Sequence, residues 1–152
     1  MTLRTVWRPA VLVIAVLLAA CGEPAASGAT RGPASADVSL AVSGGIAGVQ
    51  YGIDVRPDGS VSVTDRTGSH AARDLSAAEE KKLDSLLAAV DFAGLPARQI
   101  DAGSRDRFEY RLTYGSHSLV TDRSTDLGPA DRLIDHLESC RKARQERPVH
   151  QP

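Results

Sequence analysis

Val38, Leu40 and Val42 alternate with the smaller or more polar Ser39 and Ala41. Successive side chains of a strand leave on opposite faces, so this period of two predicts a half-buried strand. Ser43-Gly44-Gly45-Ile46-Ala47-Gly48 interrupts the alternation, which Val49, Tyr51, Ile53 and Val55 resume over about eight residues. Pro57-Asp58-Gly59 carries turn chemistry: proline presets φ and glycine accepts a positive one. Val61 and Val63 then predict a short third strand, making residues 49–65 a hairpin. Residues 67–74 are polar and without period, and are expected to be irregular.

The period changes at Ser76-Ala77-Ala78-Glu79, where Ser and Glu stand three apart as a capping box requires. Leu83, Leu86, Leu87 and Val90 follow at i, i+3, i+4 and i+7, opposite Glu80, Lys81, Lys82 and Asp84, which predicts an amphipathic helix over residues 77–90. Gly94-Leu95-Pro96 ends it, and residues 99–105 read as a polar loop. Phe108, Tyr110, Leu112 and Tyr114 alternate with Glu109, Arg111 and Thr113, giving a strand with an aromatic inner face. Gly115-Ser116 fits a two-residue turn, after which residues 117–122 pair back. Asp126-Leu127-Gly128-Pro129 offers a helix start, and Ala130, Leu133, Ile134 and Leu137 lay a second apolar stripe on a helix over residues 129–142. The order predicts an α+β domain: a largely antiparallel sheet of four to five strands with two helices packed on one face.

The first part of the chain obeys neither period. Arg4 and Arg8 precede an apolar run over residues 10–20, which ends in the small residues Ala19 and Ala20. A basic start, a hydrophobic middle and a small-residue cleavage site form a secretory signal. The run holds eleven residues, and a membrane span needs about 20. Leu18-Ala19-Ala20-Cys21 looks like the lipobox of bacterial lipoproteins. Cys21 is then expected to be the first mature residue and to carry lipid, with the protein held on the extracytoplasmic face of a cell membrane. Residues 21–36 are mostly Gly, Ala, Ser, Pro and Thr and read as a flexible tether with a reach of about 20 Å. The expected organisation is signal peptide 1–20, lipidated tether 21–36, folded domain 37–143 and a fraying polar tail 144–152.

Loss of the signal with its two arginines takes the formal net charge from −1 to −3. A mildly acidic domain lacks the basic face of a nucleic-acid binder, and none is expected as partner. Cys140 would be the one thiol left free, read as a small, partly buried side chain on the second helix; an intermolecular disulfide is the alternative.

Chemistry-bearing patterns are sparse. No two of His70, His117, His136 and His150 stand four apart on a helix, and His-Glu-x-x-His and Cys-x-x-Cys are both missing, so neither a metal nor another cofactor is expected. Ser116, His117 and Asp122 are triad residue types, but they crowd one tight hairpin whose side chains alternate between faces. No nucleophile, metal site or separated acid and base pair supports catalysis, so the chain reads as a non-enzyme. The glycine loop lacks the lysine and following helix of a phosphate-binding loop; it reads as a hairpin turn, or as a protruding contact loop with Ile46 exposed. Asp101, Arg105, Asp106, Arg107 and Glu109 mix signs, as a solvated rim or a partner-contact surface does.

Three landmarks in order resemble the emfourin family of small protein inhibitors of thermolysin-like metalloproteases. They are the stretch Leu40-Ala41-Val42-Ser43-Gly44-Gly45-Ile46-Ala47-Gly48, the helix close Asp91-Phe92-Ala93-Gly94-Leu95-Pro96, and the strand Asp106-Arg107-Phe108-Glu109-Tyr110-Arg111-Leu112-Thr113. The family pattern has a Ser-Gly-Gly-Phe-Ala-Gly-like loop, Phe-x-x-Leu-Pro, and Asp-x-Phe-x-Tyr-x-Leu-Thr. The resemblance covers residues 38–137. It departs at Ile46, where the family often has an aromatic residue, and in the expected membrane anchor. It implies inhibition of a secreted thermolysin-like metalloprotease by a loop that occludes the cleft. Gly44, Gly45, Ile46 and Ala47 are the expected contacts, with Asp101, Asp106 and Glu109 at the rim. Phe92, Leu95, Phe108, Tyr110 and Leu112 are expected in the core. The alternative function is an extracytoplasmic binding or structural module without inhibitory activity.

Overall fold

The computed structural model of the protein describes residues 36–103 and 106–145. The signal peptide, Cys21, nearly all of the tether and residues 146–152 lie outside the described residues. Nine elements follow in order: β1 (Val38–Gly44), β2 (Val49–Val55), β3 (Val61–Asp65), β4 (Gly68–Ala72), α1 (Ala77–Ala89), β5 (Arg98–Gln99), β6 (Phe108–Tyr114), β7 (His117–Thr121) and α2 (Pro129–Gln145). The fold is α+β. One sheet runs β4-β3-β2-β1-β6-β7-β5, antiparallel throughout except where β5 lies parallel to β7.

β1 sits at the centre and pairs along its full length on both sides. Leu40 therefore faces Ile53 on one neighbour and Leu112 on the other, while Val42 faces Tyr51 and Tyr110. Cross-strand layers of this kind stabilise a sheet through side-chain contact on one face. That face joins Leu83 and Leu87 of α1 and Ala130, Leu133, Ile134, Leu137 and Cys140 of α2 in one core. Each fully buried Leu or Ile contributes roughly 1.5–3 kcal/mol relative to an exposed one. The opposite face carries Ser39, Ala41, Ser43, Gln50 and Asp54, where β1 to β3 enclose a shallow groove of about 360 Å³.

The expected turns and cap form. Gly59 takes φ +82° and donates to Arg56 O at 2.9 Å, and Gly115 takes φ +55° in the β6–β7 turn. Ser76 Oγ accepts from Glu79 N at 3.3 Å while Ser76 N donates to Glu79 Oε2 at 2.7 Å, completing the capping box.

The sheet has seven strands where four to five are expected. β4 occupies part of the stretch read as irregular: Asp65 Oδ1 accepts from Thr67 N at 2.7 Å and from its hydroxyl at 2.6 Å, bending the chain so that residues 68–72 pair with β3. Its side chains are mostly exposed, so burial leaves no apolar signature in its sequence. β5 is two residues at the entrance to the expected polar loop, and pairs with Val120 and Thr121.

The second helix extends to Gln145, so Arg144 belongs to it rather than to a fraying tail. Arg144 lies with its side chain fully buried against Glu79, and donates to Arg73 O at 2.8 Å and Asp74 O at 2.9 Å. Cys140 is more buried than expected, at 2% exposure. Phe108 is the reverse: expected in the core, it is 40% exposed at the first position of β6. Its alternation points it to the inner face, but it pairs with Gly44 at the end of the sheet, where no side chain lies opposite.

Candidate partner-binding site

Residues 45–48 join β1 to β2 as a compact turn. Gly44, Gly45 and Gly48 have φ of +108°, +68° and +55°. A Cβ on Gly44 would stand 2.6 Å from Arg107 O, and one on Gly45 would stand 3.1 Å from the Phe108 ring. Positive φ and close approach together explain the glycines. Gly48 N donates to Gly45 O at 3.0 Å, Gly45 N to Arg107 O at 3.3 Å, and Arg66 Nη2 to Ala47 O at 3.4 Å. The loop is thus tied to itself, to the residue that precedes β6 and to the β3–β4 turn. Ile46 stands at its apex, 93% exposed.

Phe108 lies against Gly45, so an apolar apex and a partly exposed ring share this end of the sheet. Glu109 pairs with Ser43 one step further along, and its carboxylate accepts from Arg98 Nη2 at 3.3 Å. Asp106 is exposed two residues before Phe108. Asp101 joins the same end through Asp122: Asp101 N donates to Asp122 Oδ2 at 3.1 Å, and Arg107 Nη1 lies 3.9 Å from that oxygen. Bonding from the Ser124 hydroxyl, opposed by burial and supported by the amides of Ser124 and Asp101 and the Arg107 charge, brings the Asp122 carboxyl down to about 2. The expected contact residues Gly44, Gly45, Ile46, Ala47, Asp101, Asp106 and Glu109 therefore gather at one end. Ile46 and Ala47 are exposed, as is Asp106, while Gly44 and Gly45 are half-buried; Glu109 is engaged by Arg98, and Asp101 Oδ1 accepts from Gly103 N at 3.0 Å.

Phe108 is a contact residue that its alternation assigns to the core, and Arg66 carries no mark in the sequence of its bond to the loop. Phe108 could have been found from its position at the start of its strand, opposite a glycine turn. Arg66 sits in a polar stretch with no signal for its carbonyl partner, Ala47 O, which the β3–β4 turn brings within reach.

Other reactive side chains lie on or beside β7 and on α2. Ser116 and His117 stand at one end of β7 and Asp122 beyond the other, with Asp122 committed to Ser124 and Asp101. His136 and Cys140 stand four apart on α2, a pair not singled out from sequence, with Sγ 3.7 Å from Nε2. That nitrogen lies 3.0 Å from Glu79 O, a carbonyl that can only accept, so Nε2 carries the proton and cannot act as base toward the thiol. Burial pushes the Cys140 thiol up, away from the thiolate a nucleophile needs. Among the described residues no three His, Cys, Asp or Glu side chains form a metal-binding group, and no helix is long and apolar enough to cross a membrane.

No family model matches the chain, and no curated protein matches it significantly.

Proposed function

We propose that this protein is a lipid-anchored envelope protein whose domain inhibits a secreted thermolysin-like metalloprotease, acting by binding rather than by catalysis. The loop around Ile46 enters the protease cleft, and Asp101, Asp106 and Glu109 flank it. The observation that carries this reading is the 93% exposure of Ile46 on a loop tied down by Arg107 O, Arg66 and its own Gly45–Gly48 bond. A convex apolar apex fits a concave partner, and burying it there would remove its apolar surface from water. A loop closed by these bonds loses less conformational entropy on binding than a free segment does. The three emfourin-like landmarks name the class of cleft.

The test is incubation of the mature protein with a panel of thermolysin-like proteases, reading residual activity and the integrity of the chain. Stoichiometric inhibition without cleavage is expected, weakened at least about tenfold by Ile46→Asp, as for a buried interface anchor. Full protease activity across the panel overturns the proposal. Capture of a partner other than a protease through Ile46 would instead favour the binding module without inhibitory activity.

A further inference from the structure

We propose that the cleft between α1 and α2 binds a small dianion of the phosphate or sulfate class, held by Lys82, Arg132 and His136. Lys82 and Leu86 stand four apart on α1, and Arg132, Asp135, His136 and Ser139 stand at i, i+3, i+4 and i+7 on α2, so each set shares one helix face. The two faces enclose about 240 Å³. That is below the roughly 300–1,000 Å³ of a site for a drug-sized ligand, and leaves room for an ion or one terminal group. The charges around this space do not cancel. Asp135, the one carboxylate lining it, is held by Arg123 Nη1 at 2.7 Å, and the Ser139 hydroxyl donates to Asp135 O at 2.8 Å. Among the described residues no carboxylate pairs with the Lys82 ammonium or the Arg132 guanidinium. Two cations thus line one small cleft in a chain whose formal net charge is −1. Like charges held near each other repel, and a dianion between them is attracted by both.

His136 supplies the third group. It lines the cleft yet is only 7% exposed. Its Nε2 donates to Glu79 O at 3.0 Å and has Cys140 Sγ at 3.7 Å. Nδ1 bonds no protein group and is not sealed from solvent, so it is the nitrogen that meets the cleft. There the neutral ring offers a lone pair and the protonated ring a second N–H. An anion at Nδ1 therefore favours the protonated ring, and protonation favours the anion by the same factor. The charged and titratable groups around the ring are Glu79 and Lys82 on α1, and Arg132, Asp135, Cys140 and Arg144 on α2. Glu79 is paired by Arg144, Asp135 is paired by Arg123, and burial raises the Cys140 thiol. His136 is the member of this set with an ordinary pKa of 6.5. Burial first, then the Lys82 and Arg144 charges, lower that value against the bond to Glu79 O, and a bound dianion raises it again.

The experiment follows the His136 imidazole by NMR as sodium sulfate is added to the full chain, with ionic strength held constant by sodium chloride. A saturating shift at His136 is expected, with the exposed His70 and His117 as references that do not saturate. Sulfate stays dianionic throughout, so the affinity should rise several-fold from about pH 7.5 to about pH 5.5 as His136 takes up its proton. Lys82→Ala and Arg132→Ala should each weaken binding about tenfold, the loss of one charge-assisted bond. Both side chains are exposed, so the melting temperature in chloride should stay near that of the native chain. In His136→Gln, read by calorimetry, binding should persist and lose its dependence on pH. A shift that does not saturate, one shared equally by His70 and His117, or native affinity in the Lys82→Ala, Arg132→Ala double variant overturns the proposal. Inorganic phosphate and glycerol 3-phosphate then separate the two sources of this chemistry. Equal or weaker binding of the ester assigns the free ion, tighter binding assigns a terminal phosphoryl group, and either upholds the site. The residues around Ile46 take no part in it, so its failure leaves the inhibitor reading standing, and the reverse.

Discussion

Arg144 near the end of α2 grips Glu79 in the first turn of α1, with Nη1 3.1 Å from Oε1 and Nη2 3.2 Å from Oε2. The guanidinium also bonds the carbonyls of Arg73, Asp74 and Cys140, so one buried side chain ties together both helices and the chain leading into α1. Glu79 is simultaneously the acid of the capping box. Removing Arg144 leaves a partly buried carboxylate and three carbonyls without this donor. Arg144→Ala should therefore destabilise the domain by about 3 kcal/mol, the cost of breaking a buried pair. Urea unfolding measures this; a loss within the range of a surface ion pair, below about 1 kcal/mol, would contradict the burial of the contact.

Acid should weaken the same junction. Burial opposes the Glu79 charge, but bonds from Arg144, the Ser76 amide and Arg73 outweigh it and hold the carboxyl well below the usual carboxylate range. A depressed carboxyl contributes stability that is present above its unfolded pKa, near 4.5, and lost as pH falls further. His136 adds a loss that begins higher. Burial, partly offset by the bond to Glu79 O, lowers its pKa from 6.5, so the unfolded chain takes up a proton first and stability falls as pH drops below that value. Unfolding free energy followed from pH 7 to pH 3 is expected to decline in both regions, and His136→Gln should flatten the upper one alone. A decline confined to the carboxylate region in the native chain would refute the role given to His136.

Much of this fold is legible because burial writes a period into the sequence. Leu83 and Leu87, or Leu40 and Val42, repeat at the spacing of their element because each must reach one core. The capping box is legible for a related reason, since its bonds link residues three apart in the chain. β4 and β5 escape detection because backbone pairing holds them and their exposed side chains select no period. Arg144 escapes because its partners lie 65 to 71 residues away, and an arginine near the end of a polar helix ordinarily reads as solvated. At the candidate site, the glycines and Ile46 announce a loop, whereas the place of Asp101 depends on Asp122, which only the sheet brings near.

Gly44 permits a test of that loop. An alanine there meets both a φ of +108° and a carbonyl oxygen 2.6 Å from its Cβ. Gly44→Ala should cost about 1–3 kcal/mol in strain and displace Arg107, while Gly48→Ala meets its positive φ without a neighbour within 4 Å and should cost less. Thermal unfolding of the two variants checks the order. The reverse order would mean that the approach to Arg107 does not constrain the turn.

Phe108 separates packing from contact. Leu112, four residues along the same strand, is 1% exposed between Leu40 and Leu119, and Leu112→Ala should cost about 2–5 kcal/mol. Phe108 is 40% exposed and touches the Gly45 turn rather than the helices. Its truncation therefore leaves a smaller void, and Phe108→Ala should destabilise less than Leu112→Ala. If the ring instead supports the loop that presents Ile46, the same substitution weakens partner binding while the melting temperature stays nearer that of the native chain. Measuring both quantities on both variants decides the matter. A Phe108→Ala domain that melts as low as Leu112→Ala would return Phe108 to the core, and one that binds like the native chain would remove it from the contact surface.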